Sequence, residues 1–203
     1  MCTYELIEDL ATALGVGLED FFVLSQLKYQ LHLANAGKAQ KKLGSAAAVA
    51  QAIKLVDQAS EVVVMAESAN YALLEGTPDI DGGELALFAA LCDNPDTGLV
   101  TGDKRALIAL CKVTGPIEAN FTWAQILCLE EAMTRLVAHF GLAHVSDKVR
   151  SHAGANTAIE LIFGKSQAAK ASDVDEGFKS YLSHLVADTQ GKYTSPYLDS
   201  VVP

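Results

Sequence analysis

The sequence predicts an α/β fold: a parallel sheet of about four strands flanked by helices, followed by a C-terminal helical extension. Three observations support this fold class. Four short apolar runs are spread over the first two thirds of the chain. Each run is followed by a segment with the apolar spacing of a helix, and strands that alternate with helices are typical of a parallel sheet. The run at residues 61–65 is also β-branched without polar alternation, as strands covered by helices on both faces are.

The first half of the chain supplies two of the predicted strands. Apolar residues at helical spacing predict a helix over residues 4–14, and the run Phe-Phe-Val-Leu at residues 21–24 predicts the first strand. Ser25 and Ser45 are favourable N-cap residues, so a helix is expected to begin after each of them. Residues 61–65 then predict the second strand, and a helix is expected to follow it.

The second half supplies the other two strands. A helix is predicted over residues 84–91, and the run at residues 98–101 predicts the third strand. Residues 125–129 predict the fourth strand, and a helix is expected directly after it. The later part of the chain has helical segments and then a tail with little periodicity. We therefore expect an α/β domain over residues 1–145 and a helical extension with a tail over residues 146–203.

Charge limits the kind of partner that the whole surface can bind. The chain of 203 residues has a formal net charge of −10, and an acidic surface repels nucleic acid. The sequence thus excludes a basic scaffold but not a nuclease, because a divalent metal can bridge carboxylates to phosphate. Lys38, Lys41 and Lys42 form the one basic cluster of the sequence, and we interpret them as a solvated face.

The sequence predicts a cytoplasmic protein. Its first residues lack the basic end and the apolar run of a secretory signal. Its apolar stretches fall short of the roughly 20 residues that a membrane span needs, so no membrane association is expected. The four cysteines have neither zinc-ligand nor Cys-x-x-Cys spacing, and we expect reduced thiols, three of them in apolar stretches: Cys92, Cys111 and Cys128.

The segment Thr101-Gly102-Asp103 is the clearest candidate for chemistry. It places a hydroxyl, a glycine and a carboxylate where the third predicted strand ends and a helix begins. Ligand sites of parallel sheets form beyond the carboxyl ends of the strands, so Asp103 is expected in that crevice. The competing interpretation is that Asp103 only caps its helix, because aspartate is a favoured N-cap residue.

A second acidic segment, Asp81-Gly82-Gly83-Glu84, opens the preceding helix. A capping box between Asp81 and Glu84 explains this segment by itself. Taken together with Asp103, however, the segment suggests a shared site. Glu84 and Asp103 open two consecutive helices, and their carboxylates could share one divalent ion.

These two segments resemble the PIN domain, a metal-dependent nuclease fold found in bacterial toxins and RNA-processing factors. The resemblance covers about residues 4–140 and depends mainly on residues 80–110, with the strand that ends in Thr-Gly-Asp-Lys-Arg-Ala. It implies that Glu84 and Asp103 are metal ligands for Mg2+ or Mn2+, and that Thr101 lies at the edge of the site.

Two further acidic positions of the family are less clearly matched. PIN domains normally place an aspartate at the end of a first strand, but no apolar strand ending in aspartate precedes Tyr4, so this sequence lacks that strand. Either residues upstream of this sequence supply it, or the site is incomplete. Glu130, just after the fourth predicted strand, is placed like another acidic residue of the site, and Glu118 is its rival.

The resemblance therefore implies a hydrolase that cuts phosphodiester bonds through a carboxylate-bound divalent ion, in particular an endoribonuclease. The alternative is a catalytically incomplete PIN-like module that binds a protein or a nucleic acid. A toxin neutralised by an antitoxin is a further form of the nuclease. RNA, an antitoxin or other protein, and a second copy of the chain are the partners that these hypotheses leave open.

Overall fold

Of the residues that the structure describes, 63% lie in helices and 5% in strands. The computed structural model describes residues 1–63 and 68–199. Its α-helices are α1 Ile7–Leu14, α2 Leu27–Gln30, α3 Ala36–Leu43, α4 Ala46–Gln58, α5 Ala69–Leu74, α6 Gly82–Asp93, α7 Lys104–Lys112, α8 Leu129–Phe140, α9 Leu142–Arg150, α10 Thr157–Phe163, α11 Ala171–Asp188 and α12 Pro196–Asp199. Short 3-10 helices span Cys2–Tyr4, Leu18–Asp20, Pro116–Ala119 and Trp123–Gln125.

The strands form two separate parallel pairs. Their bounds are β1 Phe22–Val23, β2 Ser60–Glu61, β3 Leu99–Thr101 and β4 Ile126–Cys128. In the described part of the chain, β1 pairs only with β2, and β3 pairs only with β4. Phe22 lies opposite Ser60 in the first pair, and Thr101 lies opposite Cys128 in the second.

The prediction of one four-stranded parallel sheet flanked by helices is wrong. Strands do occur near the predicted positions, but each is only two or three residues long and has a single partner. The first two runs are also not buried, since Phe22 is 57% exposed and Val63 is 74% exposed. Residues 64 and 65 of the predicted second strand lie outside the described residues. Apolar and β-branched composition favours a strand only where neighbours cover it, and local sequence cannot show whether they do.

The chain forms two compact units, and each combines residues that are distant in sequence. The first unit comprises residues 1–61 and 133–177, and the second comprises the described residues of the ranges 62–132 and 178–203. Residues 146–177 thus belong with the N-terminal segment, whereas the C-terminal segment belongs with the middle of the chain.

One cluster of buried residues in the first unit lies between α3 and α4. Ser45 caps α4 as predicted, because its hydroxyl accepts a hydrogen bond from the N–H of Ala48 at 2.9 Å. Asn35 caps α3 in the same way through the N–H of Lys38. By contrast, α2 begins without a side-chain cap, and Ser25 does not act as one. The buried residues of this core are Ala39, Leu43, Ala48, Val49 and Ala52.

The second unit has a larger core around the pair β3–β4. Helices α6 and α7 bury one face each in it, through residues such as Phe88 and Leu107. Three cysteines of this unit are buried free thiols, as their apolar settings predict: Cys92, Cys111 and Cys128. Because this core fixes the strands and the starts of α6 and α7, it fixes the positions of the predicted site residues.

Candidate functional site

The candidate site lies at the carboxyl ends of β3 and β4. These strands are parallel and in register at Thr101 and Cys128, so both end at the same edge. The chain then enters α7 after β3 and α8 after β4. The carboxyl edge of parallel strands is where ligand sites of α/β proteins form, and this local arrangement is present although the sheet has only two strands.

Asp103 is the N-cap residue of α7. Its Oδ1 accepts hydrogen bonds from the N–H groups of Arg105 at 2.9 Å and Ala106 at 3.1 Å. The hydroxyl of Thr101 in turn accepts a hydrogen bond from the N–H of Asp103 at 3.2 Å. The capping interpretation is therefore correct for one oxygen of Asp103. The other oxygen, Oδ2, lies 3.9 Å from Nη2 of Arg105, whose side chain is 87% exposed.

Glu84 is held in a capping box at the start of α6. Its Oε2 accepts a hydrogen bond from the N–H of Asp81 at 2.9 Å, and Oδ1 of Asp81 accepts from the N–H of Glu84 at 2.9 Å. This reciprocal pairing satisfies backbone donors that a helix start leaves free. It also fixes the rotamer of Glu84, so the carboxyl is oriented by its own helix.

The carboxyl of Asp103 affects the ionisation of the Glu84 carboxyl. Burial raises the pKa of Glu84 above its ordinary value, and the charge of Asp103 and a hydrogen bond to its carboxyl raise that pKa further. The hydrogen bond from the Asp81 N–H works in the opposite direction, but the net shift is upward. The structure thus brings together the two residues that the sequence pairs as metal ligands, and the negative charge of Asp103 disfavours the charged form of Glu84.

Glu130 and Glu118 each have a lysine partner instead. Glu130 is 4% exposed in the first turn of α8, and its Oε1 lies 3.1 Å from Nζ of Lys104. Nζ of Lys104 also lies 4.4 Å from the centre of the Tyr181 ring. Glu118 forms an ion pair with Lys192. The sequence does not predict either lysine partner. Its one indication is that Lys104 directly follows Asp103, which places a positive charge next to the candidate site.

The arrangement fits a divalent cation held by two carboxylates, not by a complete protein cage. Within residues 1–63 and 68–199, no group of three or more histidine, cysteine, aspartate or glutamate residues is placed to hold a metal ion. Mg2+ is commonly bound through one or two carboxylates, with water and substrate phosphate completing its octahedron. Asp103 Oδ2 and the Glu84 oxygen outside the capping box are the atoms suited to such binding.

The first unit contains a second polar cluster that resembles a Ser-His-Glu triad. Ser151 Oγ lies 3.2 Å from Nδ1 of His152, and His152 Nε2 lies 3.1 Å from Oε1 of Glu5. However, His152 Nδ1 is also 2.9 Å from the carbonyl oxygen of Lys148. A carbonyl only accepts hydrogen bonds, so Nδ1 donates to it and cannot act as a base for Ser151.

This cluster instead ties three segments of the first unit together. The hydroxyl of Ser45 donates to Glu5 at 2.6 Å, and the ammonium of Lys148 donates to Glu5 at 2.9 Å. The Ser45 hydrogen bond, followed by Lys148, lowers the pKa of Glu5 below its ordinary value. A carboxylate with its acceptor positions filled by internal donors has a structural role, and we assign no chemistry to it.

Comparison of the chain with family models, with curated proteins and with solved structures finds no significant match. In the described part of the chain, no helix is long and apolar enough to cross a membrane.

Proposed function

We propose that Glu84 and Asp103 bind a divalent cation, Mg2+ or Mn2+, and that the protein uses it to hydrolyse phosphodiester bonds in RNA. The observation that supports the proposal is the interaction between these two carboxyls, which adds to the effect of burial in raising the pKa of Glu84. Helix α6 orients Glu84 and helix α7 orients Asp103, so the repulsive pair is built by the fold. A cation between the two groups would remove the repulsion.

The residues around the pair have distinct roles in this proposal. When bound, the ion supplies a polarised water and offsets negative charge on the scissile phosphate. Thr101 fixes the backbone of Asp103 by accepting its N–H, which holds the carboxylate at the end of β3. Arg105 is exposed beside Asp103, and its guanidinium is suited to a phosphate oxygen of the substrate.

A second candidate is a binding module without catalysis. It is favoured by the ion pairs that neutralise Glu130 with Lys104 and Glu118 with Lys192. With these pairs formed, Glu84 and Asp103 are the two carboxylates left to bind a metal, whereas the resemblance to a nuclease implies more than two. Such a module would bind a protein or a nucleic acid through the same edge of β3 and β4.

Replacing Asp103 with asparagine tests the proposal. Asparagine keeps an oxygen that caps α7, so the thermal midpoint is expected to stay within about 1–2 °C of the wild type. The charge is lost, so the affinity for Mn2+ is expected to fall at least about tenfold and metal-dependent RNA cleavage to disappear. Isothermal titration calorimetry and the cleavage of a labelled RNA measure the two effects.

Asp96→Asn is the matched control, because it removes the same charge from an exposed turn of the same unit. This control is expected to bind Mn2+ and cleave RNA like the wild type. Cleavage that survives in Asp103→Asn would refute the catalytic role of the pair. If the wild type binds neither ion, the enzyme is rejected and the binding module stands.

A further inference from the structure

A long stretch of the first unit carries positive charge only. Between Asp20 and Asp57 the sequence has five lysines and no aspartate or glutamate, although the whole chain has a formal net charge of −10. This stretch includes α2, α3 and most of α4. The acidic composition of the protein therefore conceals one region that can attract a polyanion.

Three of these lysines share one exposed face of α3. Lys38, Lys41 and Lys42 are spaced i, i+3 and i+4, which places them on one side of a helix, and all three are exposed. The opposite side of α3 is buried through Ala39 and Leu43. We call the three lysines the basic face of α3.

The basic face of α3 has no internal counter-charge. In residues 1–63 and 68–199, no carboxylate is paired with Lys38, Lys41 or Lys42. Like charges at these spacings repel each other. Lys41 and Lys42 lie in the last turn of α3, where the helix dipole favours positive charge. The helix dipole does not explain Lys38, which lies in the first turn of α3, where the dipole disfavours positive charge.

We propose that the basic face of α3 binds the phosphate backbone of single-stranded RNA. Charge complementarity carries the proposal: an anionic chain would neutralise three lysines that the protein leaves unpaired. The face belongs to the first unit, whereas Glu84 and Asp103 belong to the second unit. The proposal is therefore independent of the metal site and of catalysis.

An exposed tyrosine favours RNA over other polyanions. Tyr29, in α2, is 71% exposed, and Leu31 just after α2 packs against the same core as α3. Proteins that bind single strands combine positive grooves with aromatic side chains on which bases stack. A membrane-binding helix would instead need large exposed apolar residues beside its lysines, but Leu43 of α3 is buried and the exposed apolar side chain of α3 is the small Ala36.

The test measures RNA binding by the full chain in EDTA, so that no metal contributes. The probe is a fluorescent single-stranded RNA of about 16 nucleotides, followed by anisotropy between about 50 and 200 mM salt. The variant carries Lys38→Gln, Lys41→Gln and Lys42→Gln. Its affinity is expected to fall at least about tenfold, and the slope of log K against log salt to decrease by about 2, because each lysine–phosphate contact contributes about 0.7.

The matched control removes the same charge elsewhere, through Lys112→Gln, Lys165→Gln and Lys170→Gln, which are all exposed. This control is expected to bind RNA with the slope of the wild type. Tyr29→Ala should weaken binding about tenfold without changing the slope, and Tyr29→Phe should restore it, because stacking needs the ring and not the hydroxyl.

Three outcomes would overturn the proposal. The first is equal loss of affinity in both triple variants, which would mean that only net charge matters. The second is absence of RNA binding by the wild type at low salt. The third is binding of polyglutamate, or of vesicles with anionic lipid, that is as tight as RNA binding and as sensitive to the α3 variant; either result would assign the face to that other partner.

Discussion

The ionised carboxylate of Glu84 lowers the stability of the second unit. Its pKa in the folded protein lies above its ordinary value, because of burial and the charge of Asp103. The folded state thus binds this proton more tightly than the unfolded state does. The stability that protonation of Glu84 contributes is fully present below the ordinary pKa of about 4.5. It is lost as the pH rises through the raised pKa.

Replacing Glu84 with glutamine should remove this cost. Glutamine keeps an oxygen that can accept the Asp81 N–H, so the capping box can persist. At pH 7 the variant is expected to be more stable than the wild type by about 0.5 kcal/mol, the scale of close like-charge pairs near the surface. Near pH 4 the two proteins should be almost equally stable. Urea unfolding at a series of pH values measures the difference.

Glu75→Gln is a suitable control, because it removes an exposed carboxyl of the same unit outside the capping box. Its pH profile should follow that of the wild type. A Glu84→Gln variant that is less stable than the wild type at pH 7 would mean that the Glu84 carboxylate is stabilising. That result would contradict the repulsion between Glu84 and Asp103 on which the proposed metal site depends.

The residues of the candidate site were predictable to different degrees. Glu84 and Asp103 each open a helix, and their capping roles follow from the local patterns. Their proximity follows from the order of α6, β3 and α7. The ion pair of Glu130 with Lys104 was not predictable in this way, because it depends on how the starts of α7 and α8 lie in space.

Among the secondary structure elements, the short helix α12 has an anchor that local patterns do not reveal. Glu131 is buried in α8, and its carboxylate accepts hydrogen bonds from the hydroxyl of Ser195 and, at 3.0 Å, from the N–H of Tyr197. The hydroxyl oxygen of Tyr193, another buried residue, accepts a hydrogen bond from the N–H of Cys128 at 3.2 Å. The C-terminal segment is therefore part of the second core.

Replacing Glu131 with alanine should release this segment. The change leaves the Ser195 hydroxyl and the Tyr197 N–H without their acceptor, so the free energy of unfolding is expected to fall by about 2–3 kcal/mol. Ser195→Ala removes one donor only and should cost about 1 kcal/mol. Urea unfolding measures both values, and limited proteolysis should cut the C-terminal segment of Glu131→Ala first. Equal cleavage rates in wild type and variant would contradict the anchoring role.

The strands illustrate why element type was easier to predict than architecture. The runs at β3 and β4 are largely buried and pair in parallel, as their sequences suggest. The runs at β1 and β2 also pair in parallel, but they are largely exposed. The same βα pattern repeats along the chain, so the sequence predicts one sheet that contains both pairs. Pairing partners depend on long-range packing, which a local apolar run does not encode.

At the scale of the whole molecule, the two units interleave along the sequence. The first unit needs residues 133–177 in addition to the N-terminal segment, and the second needs residues 178–199 in addition to the middle of the chain. The sequence suggested a boundary near residue 145, where the βα pattern ends. That pattern reports local periodicity, whereas the units are defined by which distant segments pack together.

A fragment that ends at residue 145 should therefore fail to fold cooperatively. The first unit would lose the fully buried side chains of Val149, Ile159 and Phe163, and the second would lose those of Leu182 and Tyr193. Removing one large core side chain costs about 2–5 kcal/mol, and a domain is stable by only about 5–15 kcal/mol in total. Losing several at once exceeds that margin in both units.

Circular dichroism and urea unfolding of the fragment and of the full chain provide the measurement. The full chain is expected to unfold in a cooperative transition, and the 1–145 fragment to lose signal gradually while binding a hydrophobic dye. Adding a peptide of residues 146–203 should restore part of the helical signal, since that peptide carries the missing core residues of both units. A fragment that unfolds cooperatively with a midpoint close to that of the full chain would show that residues 1–145 are an independent domain. The interleaved arrangement of the two units would then have to be abandoned.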